Sequence, residues 1–295
     1  MTFRLPLVML AGLILCGCSD ENYGSNVSPP PPEPYYIETA VTLSPDREYI
    51  YFVAEDTSGG TGSGLYRARV HNPARERVLA GGLVAAPTVS FDNTTIAYLE
   101  IGRIRYFDLS DSTMSLSPVA DSFATLQYIG LERLLAGRGD TLFVIDDAAY
   151  PIDTVINCRQ PSLYARDTFV CFSDGENLLS YIIKRTIDGS YAETLFTCST
   201  AAATVWPTYH GASDRLAFGI EYLESRYIYS GQKGGRQGDP ETFRFIDSTA
   251  HSKPYLIDAD AVLFTGPDGR LYRTGFTGGQ AEPFTFTGEG NPEIQ

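Results

Sequence analysis

The residues able to do chemistry are few and scattered. Three histidines occur, His71, His210 and His251. A three-ligand metal site would need all of them on one face, and their separation along the chain argues instead for surface histidines. His210 closes an apolar segment, so it is the one histidine placed to approach a central channel. Ser230-Gly231-Gln232-Lys233 matches the S-x-x-K spacing of a serine nucleophile with its lysine. It opens a glycine-rich stretch, however, and lacks the helix that would seat the lysine. No G-x-S-x-G elbow is present. Asp258-Ala259-Asp260 and Pro267-Asp268-Gly269 fall short of a calcium loop and read as turns. No catalytic residue, metal ligand or cofactor is therefore assigned.

The cysteines carry more. Cys16 and Cys18 stand near the start, and Cys158, Cys171 and Cys198 far beyond. Cys158 precedes one short apolar segment and Cys171 lies in the next, so Cys158 and Cys171 form a candidate disulfide, leaving one cysteine over. Alternatively, Cys171 is a small buried hydrophobe.

The first residues hold one cation, Arg4, followed by an apolar run over residues 5–15 and then Leu15-Cys16-Gly17-Cys18-Ser19. The run suits an export signal and is short for a membrane span. Residues 19–35 are polar and contain Pro29-Pro30-Pro31-Pro32-Glu33-Pro34. Such a segment has too little apolar surface to fold and favours an extended polyproline spacer.

The rest is built from short alternating segments separated by turns. Apolar residues make up 43%, with 19 Tyr and 16 Phe punctuated by 28 Gly and 18 Pro. That composition supports a large all-β core. A strand-turn-strand unit recurs six times, with turns near Asp46, Asp92, Leu131, Arg166, Asp214 and Asp258. The step of about 42 residues is that of a four-stranded propeller blade. The expected fold is all-β, a six-bladed β-propeller of four-stranded antiparallel blades, with seven blades or an irregular sandwich as alternatives. Proline near the start of an inner strand is expected at its first position. Tyr35-Tyr36-Ile37 could close the ring as an outer strand of the last blade, and Asn291-Pro292 looks like the opening of a further repeat. The glycine-rich stretches 56–64 and 231–240 read as mobile loops that could bind a partner.

Two resemblances follow from these residues. The Leu15-to-Ser19 segment resembles a bacterial lipoprotein signal. This implies residues 1–17 as signal peptide, acylation of Cys18, and residues 18–35 as acylated terminus and tether. Leu15 and Gly17 fit the pattern, whereas Cys16 is a mild departure. Ser19 after the acylated cysteine favours the outer membrane, at its periplasmic face or the cell surface. Ser44-Pro45-Asp46, Ile50-Tyr51-Phe52 and Leu65-Tyr66-Arg67 are similar to TolB-type (WD40-like) propeller repeats. Ser90-Phe91-Asp92-Asn93 with Ile96-Ala97-Tyr98 is a second match, and residues 36–295 form the propeller domain on this reading.

The resemblance speaks for fold and little for function. It implies a lipid-anchored envelope scaffold, non-catalytic, that binds a protein, peptide or glycan. The alternative is a propeller enzyme of metal-dependent lyase or lactonase type working in the central channel. Lys plus Arg is 22 against 36 Asp plus Glu, a formal net charge of −14. With no basic run, no nucleic-acid partner is expected.

Overall fold

The computed structural model describes residues 36–58, 61–81, 83–118, 122–146, 151–175, 179–199, 203–222, 225–249 and 253–284. The signal, Cys18, the tether, Tyr35, His251 and Asn291-Pro292 lie outside them. All the described residues fall within one unit.

Six sheets follow one another along the chain. Blade one holds β1 (Tyr36–Leu43), β2 (Tyr49–Asp56), β3 (Gly64–Arg69) and β4 (Asn72–Ala80). Blade two holds β5 (Val84–Val89), β6 (Thr95–Glu100), β7 (Arg103–Asp108) and β8 (Met114–Leu116). Blade three holds β9 (Thr125–Tyr128), β10 (Leu134–Arg138), β11 (Thr141–Ile145) and β12 (Pro151–Ile156). Blade four holds β13 (Arg159–Ala165), β14 (Thr168–Asp174), β15 (Leu179–Thr186) and β16 (Ala192–Ser199). Blade five holds β17 (Ala203–His210), β18 (Arg215–Tyr222) and β19 (Ser225–Gln232); β20 (Gly235–Arg236) then leaves it before β21 (Phe243–Thr249) completes it. Blade six holds β22 (Tyr255–Leu256), β23 (Ala261–Thr265), β24 (Leu271–Gly275) and β25 (Glu282–Pro283). The fold is thus the six-bladed propeller of four-stranded antiparallel blades, with no helix among the described residues.

Each blade is buried on both faces, which explains its continuous apolar runs. Alternate residues of a strand point to opposite sides of the sheet. In β2, Phe52 joins the core shared with blade six, around Leu263 and Leu271, while Tyr51 joins the core shared with blade two, around Ile96 and Tyr98. The pattern repeats between every successive pair, and Phe196 of blade four packs on Phe218 of blade five with ring centroids 5.1 Å apart. Burying each such side chain contributes about 1.5–3 kcal/mol. The ring therefore holds six inter-blade cores.

Ring closure differs from the sequence expectation. Tyr36 and Ile37 do not form an outer strand of the last blade; they open β1, the innermost strand of the first. Blades one and six are each built from consecutive strands, and the seam between them is joined by side chains and loops. Glu38 is 3% exposed. Its amide donates to Gly269 O at 2.6 Å, its carbonyl accepts from Thr265 Oγ1 at 2.8 Å, and its Oε2 accepts from the Leu271 amide at 3.0 Å. Arg75 lies 3.6 Å from its Oε1. Gly269 has φ +80°, and a Cβ there would crowd Ile37 at 3.1 Å, so the approach requires glycine.

A second correction concerns residues 231–240. This stretch docks on the neighbouring blade instead of projecting freely. β20 pairs parallel with β16, the Gly234 amide donates to Leu195 O at 2.7 Å, and Lys233 reaches Glu193 at 2.6 Å.

Candidate functional site

The inner strands β1, β5, β9, β13, β17 and β22 stand side by side around the axis. In four of them one residue adopts a left-handed backbone: Ala40 (φ 50°), Ala86 (45°), Gln160 (51°) and Trp206 (54°). Each sits where the register shifts, so each is a β-bulge. A bulge re-aims the residues that follow it. Pro87, Pro161 and Pro207 come directly after three of these residues, inside the strand and not at its first position as expected. A bulge leaves an amide without a ladder partner, which is where proline is tolerated.

Two residues past each bulge stands a buried hydroxyl: Thr42, Thr88, Ser162 and Thr208. Gln127 of blade three and Tyr255 of blade six complete this level. Gln127 Nε2 donates to Thr88 Oγ1 at 3.2 Å, and the Tyr128 amide donates to the same oxygen at 2.9 Å. Thr42, Gln127, Ser162, Thr208 and Tyr255 line a cavity of about 70 Å³, which opens past Leu43, Arg47, Tyr164, Tyr209 and Leu256. Lys253 lies over the Tyr255 ring at 4.8 Å and reaches Pro161 O of blade four at 3.3 Å.

The mouth is framed by the turns between first and second strands. In blade one, Ser44 Oγ donates to Asp46 Oδ1 at 2.5 Å, and the Glu48 amide donates to the same oxygen at 3.0 Å. Blade two repeats this with Ser90, Asp92 and Thr94. Asn93 Nδ2 links the two turns through Asp46 Oδ2 at 2.9 Å. The left-handed position of the first turn is Arg47, with φ 61°. For a long side chain this backbone costs about 1–2 kcal/mol relative to right-handed geometry. Partial burial holds the Arg47 guanidinium below its ordinary pKa, with Asp258 opposing that effect. Among the described residues the guanidinium has no hydrogen bond and no ion pair within 4 Å.

Tyr164 and Tyr209 face each other with centroids 5.3 Å apart. The Tyr164 ring lies against Gly211, where any Cβ would collide with it. Tyr209 Oη donates to Asp214 Oδ1 at 2.5 Å; burial, and then that bond, push its phenol pKa up. Lys184 lies 5.1 Å from the Tyr164 ring and pairs with Glu193 at 2.7 Å.

The structure brings few of the sequence candidates together. His210 is at the rim and not in the cavity lining; its Nδ1 is 2.8 Å from Ser213 Oγ. Burial, then the Arg47 charge, lower its pKa, favouring the neutral ring. His71 is exposed after β3. Ser230 is buried in β19, while Lys233 is engaged by Glu193. Asp258 caps its own turn, accepting from the Asp260 amide at 2.7 Å, and pairs with Arg273 at 3.3 Å. Asp268 likewise accepts from the Arg270 amide at 3.1 Å. No group of three or more His, Cys, Asp or Glu side chains suited to a metal occurs among the described residues. Cys158 and Cys171 are joined as a disulfide with Cα atoms 5.7 Å apart in the core between blades three and four, and Cys198 is a buried thiol. Sequence reasoning missed the polar ring and Arg47. The bulge-proline-hydroxyl spacing in Ala86-Pro87-Thr88, Gln160-Pro161-Ser162 and Trp206-Pro207-Thr208 was the available signal.

No protein-family description matches the sequence, and no curated protein matches it. Solved structures do. TolB from Acinetobacter baumannii superposes with a TM-score of 0.52 at 12% identity, covering 73% of this chain and 55% of TolB. The chain thus spans about half the length of that protein. The β-propeller domain of the Trilobed protease from Pyrococcus furiosus, described as having an open velcro topology, gives 0.50 at 12% identity, covering 87% of this chain and 100% of that domain. An oligogalacturonate lyase in complex with manganese gives 0.48 at 15% identity, covering 86% and 77%. At such identities the likeness speaks for the propeller fold alone.

Proposed function

We propose that this protein is a lipid-anchored binding scaffold of the cell envelope, held to the membrane through Cys18, and that the mouth of its central channel receives a partner protein. The observation that carries the reading is the composition of that mouth. Tyr164, 37% exposed, and half-buried Leu43 supply an apolar and aromatic edge, backed by buried Tyr209 and Leu256, beside a ring of hydroxyls and one amide. Such a rim, concave and converging from several elements, suits recognition. Tyrosine adds contact area at low entropic cost. The acidic groups near the mouth are engaged in turns and pairs, Asp214 by Tyr209 and Asp258 by Arg273, so none is poised as an acid or base.

The experiment is capture of envelope proteins on the full chain, with metal analysis of the same sample. One protein recovered in a fixed ratio and reduced at least tenfold by Tyr164→Ala is the expected result. Stoichiometric metal with no protein partner reverses the reading in favour of a channel enzyme.

A further inference from the structure

The cavity at the axis has a lining of unusual charge for this chain. The formal net charge is −14, yet among the described residues the only charged side chain lining the cavity is a cation, Arg47. Around it stand Thr42 and Ser162, whose hydroxyls can donate to a ligand, while Ser44 and Thr208 already donate to Asp46 and Ala217 O and the Gln127 amide to Thr88 and Tyr128 O. No carboxylate completes the set. Arg47 keeps a left-handed backbone at a turn position that glycine or asparagine would fill without strain, as Asn93 does in blade two. A strained residue persists where its surroundings hold it or its side chain is needed. Its nearest acidic neighbours are occupied: Asp46 by Ser44, Glu48 and Asn93, and Asp258 by Arg273 and the Asp260 amide.

We infer that the channel mouth is a carboxylate-binding site, in which Arg47 grips the side chain of an Asp or Glu inserted from a partner peptide. The inference rests on the binding reading above and names what the mouth recognises. Size selects the ligand class. Small-molecule pockets run to about 300–1,000 Å³, whereas this cavity is about 70 Å³. A volume that holds a few waters suits one acidic side chain. Arginine suits the task because its planar fork can hold both carboxylate oxygens. His210 beside it is engaged by Ser213, its Nδ1 2.8 Å from Ser213 Oγ. Tyr164 stands exposed at the entrance, where backbone beside the acidic residue would rest.

The test is selection of phage-displayed random heptapeptides on the immobilised full chain, followed by affinity measurements with the selected peptides as synthetic ligands. Selected peptides are expected to share an Asp or Glu. Replacing that residue by its amide weakens binding about tenfold or more. Arg47→Gly weakens it equally while raising the melting temperature, because glycine relieves the left-handed strain. Arg47→Gln weakens binding without that backbone change, and Arg47→Lys restores part of it. Acid-free peptides that bind at the Tyr164 rim and ignore Arg47→Gly overturn the carboxylate assignment and leave the binding reading standing. If no peptide is enriched, the carboxylate assignment fails, and the binding reading is decided by the envelope capture described above. Trigalacturonate binding that depends on Arg47 where peptides do not bind transfers the site to a glycan and overturns the peptide assignment.

Discussion

The amide of Leu271, in the last blade, donates 3.0 Å to the carboxylate of Glu38, in the first strand. Two residues 233 positions apart thus meet inside the ring, and the same Glu38 takes Gly269 and Thr265 through its backbone. Ile50 and Phe52 share one core with Leu263 and Leu271 across the same seam. Where no strand is exchanged, this one side chain does much of the joining.

Glu38→Ala leaves the buried Leu271 amide and Arg75 without their partner. The expected loss is about 2–3 kcal/mol of stability in urea unfolding. Exchange of the Leu271 amide speeds up accordingly. Glu38→Gln, which keeps an acceptor, loses less. A change below about 0.5 kcal/mol, within the range of ordinary surface substitutions, contradicts the clasp.

The disulfide between Cys158 and Cys171 closes a short loop in the core between blades three and four. For a loop of this size, cross-linking the unfolded chain contributes about 3 kcal/mol. The double substitution Cys158→Ala with Cys171→Ala lowers stability by about that amount. Thiol labelling after unfolding without reductant modifies Cys198 and spares the pair; labelling of all three contradicts the bond.

Glu193 is held by Lys184 first, then Lys233 and Tyr191, which bring its pKa from 4.5 down to about 2. A folded pKa below the unfolded one means that the stabilising contribution is complete above pH 4.5 and disappears as pH falls through about 2. The stability difference between the native chain and Glu193→Gln is therefore expected at pH 6 and absent near pH 2. Carbon-13 titration of the carboxyl group checks the value directly. The consequence is local: Lys233 belongs to the segment that docks on blade four, so protonating Glu193 removes one of that segment's contacts.

Attachment through Cys18 is open to a simple substitution. Cys18→Ala is expected to take up no acyl chain, read by its mass and by labelling with a radioactive fatty acid, and to retain its signal segment. A Cys18→Ala chain that still fractionates with membranes and is processed normally contradicts the anchor.

The period of the fold was legible because its turns are chemically specified. Ser44-Pro45-Asp46 and Ser90-Phe91-Asp92 build the same hydrogen-bonded turn, and two-sided burial turns Ile50-Tyr51-Phe52 and Val170-Cys171-Phe172 into unbroken apolar runs. The clasp was not legible, since a glutamate in a strand reads as a solvent-facing residue until a partner 233 positions away is known. Residues 231–240 looked mobile because glycine content reports backbone freedom and not the neighbouring strand edge, on β16, that uses it. Arg47 was hidden for a similar reason. A charged residue in a polar turn is ordinary, and only the convergence of the inner strands places it over the axis.

The most direct measurement places a photoreactive amino acid at Tyr164, on the channel mouth, and separately at Ile152, exposed on the outer strand of blade three. Cross-linking is carried out in intact cells that make the full chain. The account predicts a single protein adduct from position 164, lost with Arg47→Gly, and none from position 152. An adduct from 152 alone, or one at 164 unaffected by Arg47→Gly, contradicts it.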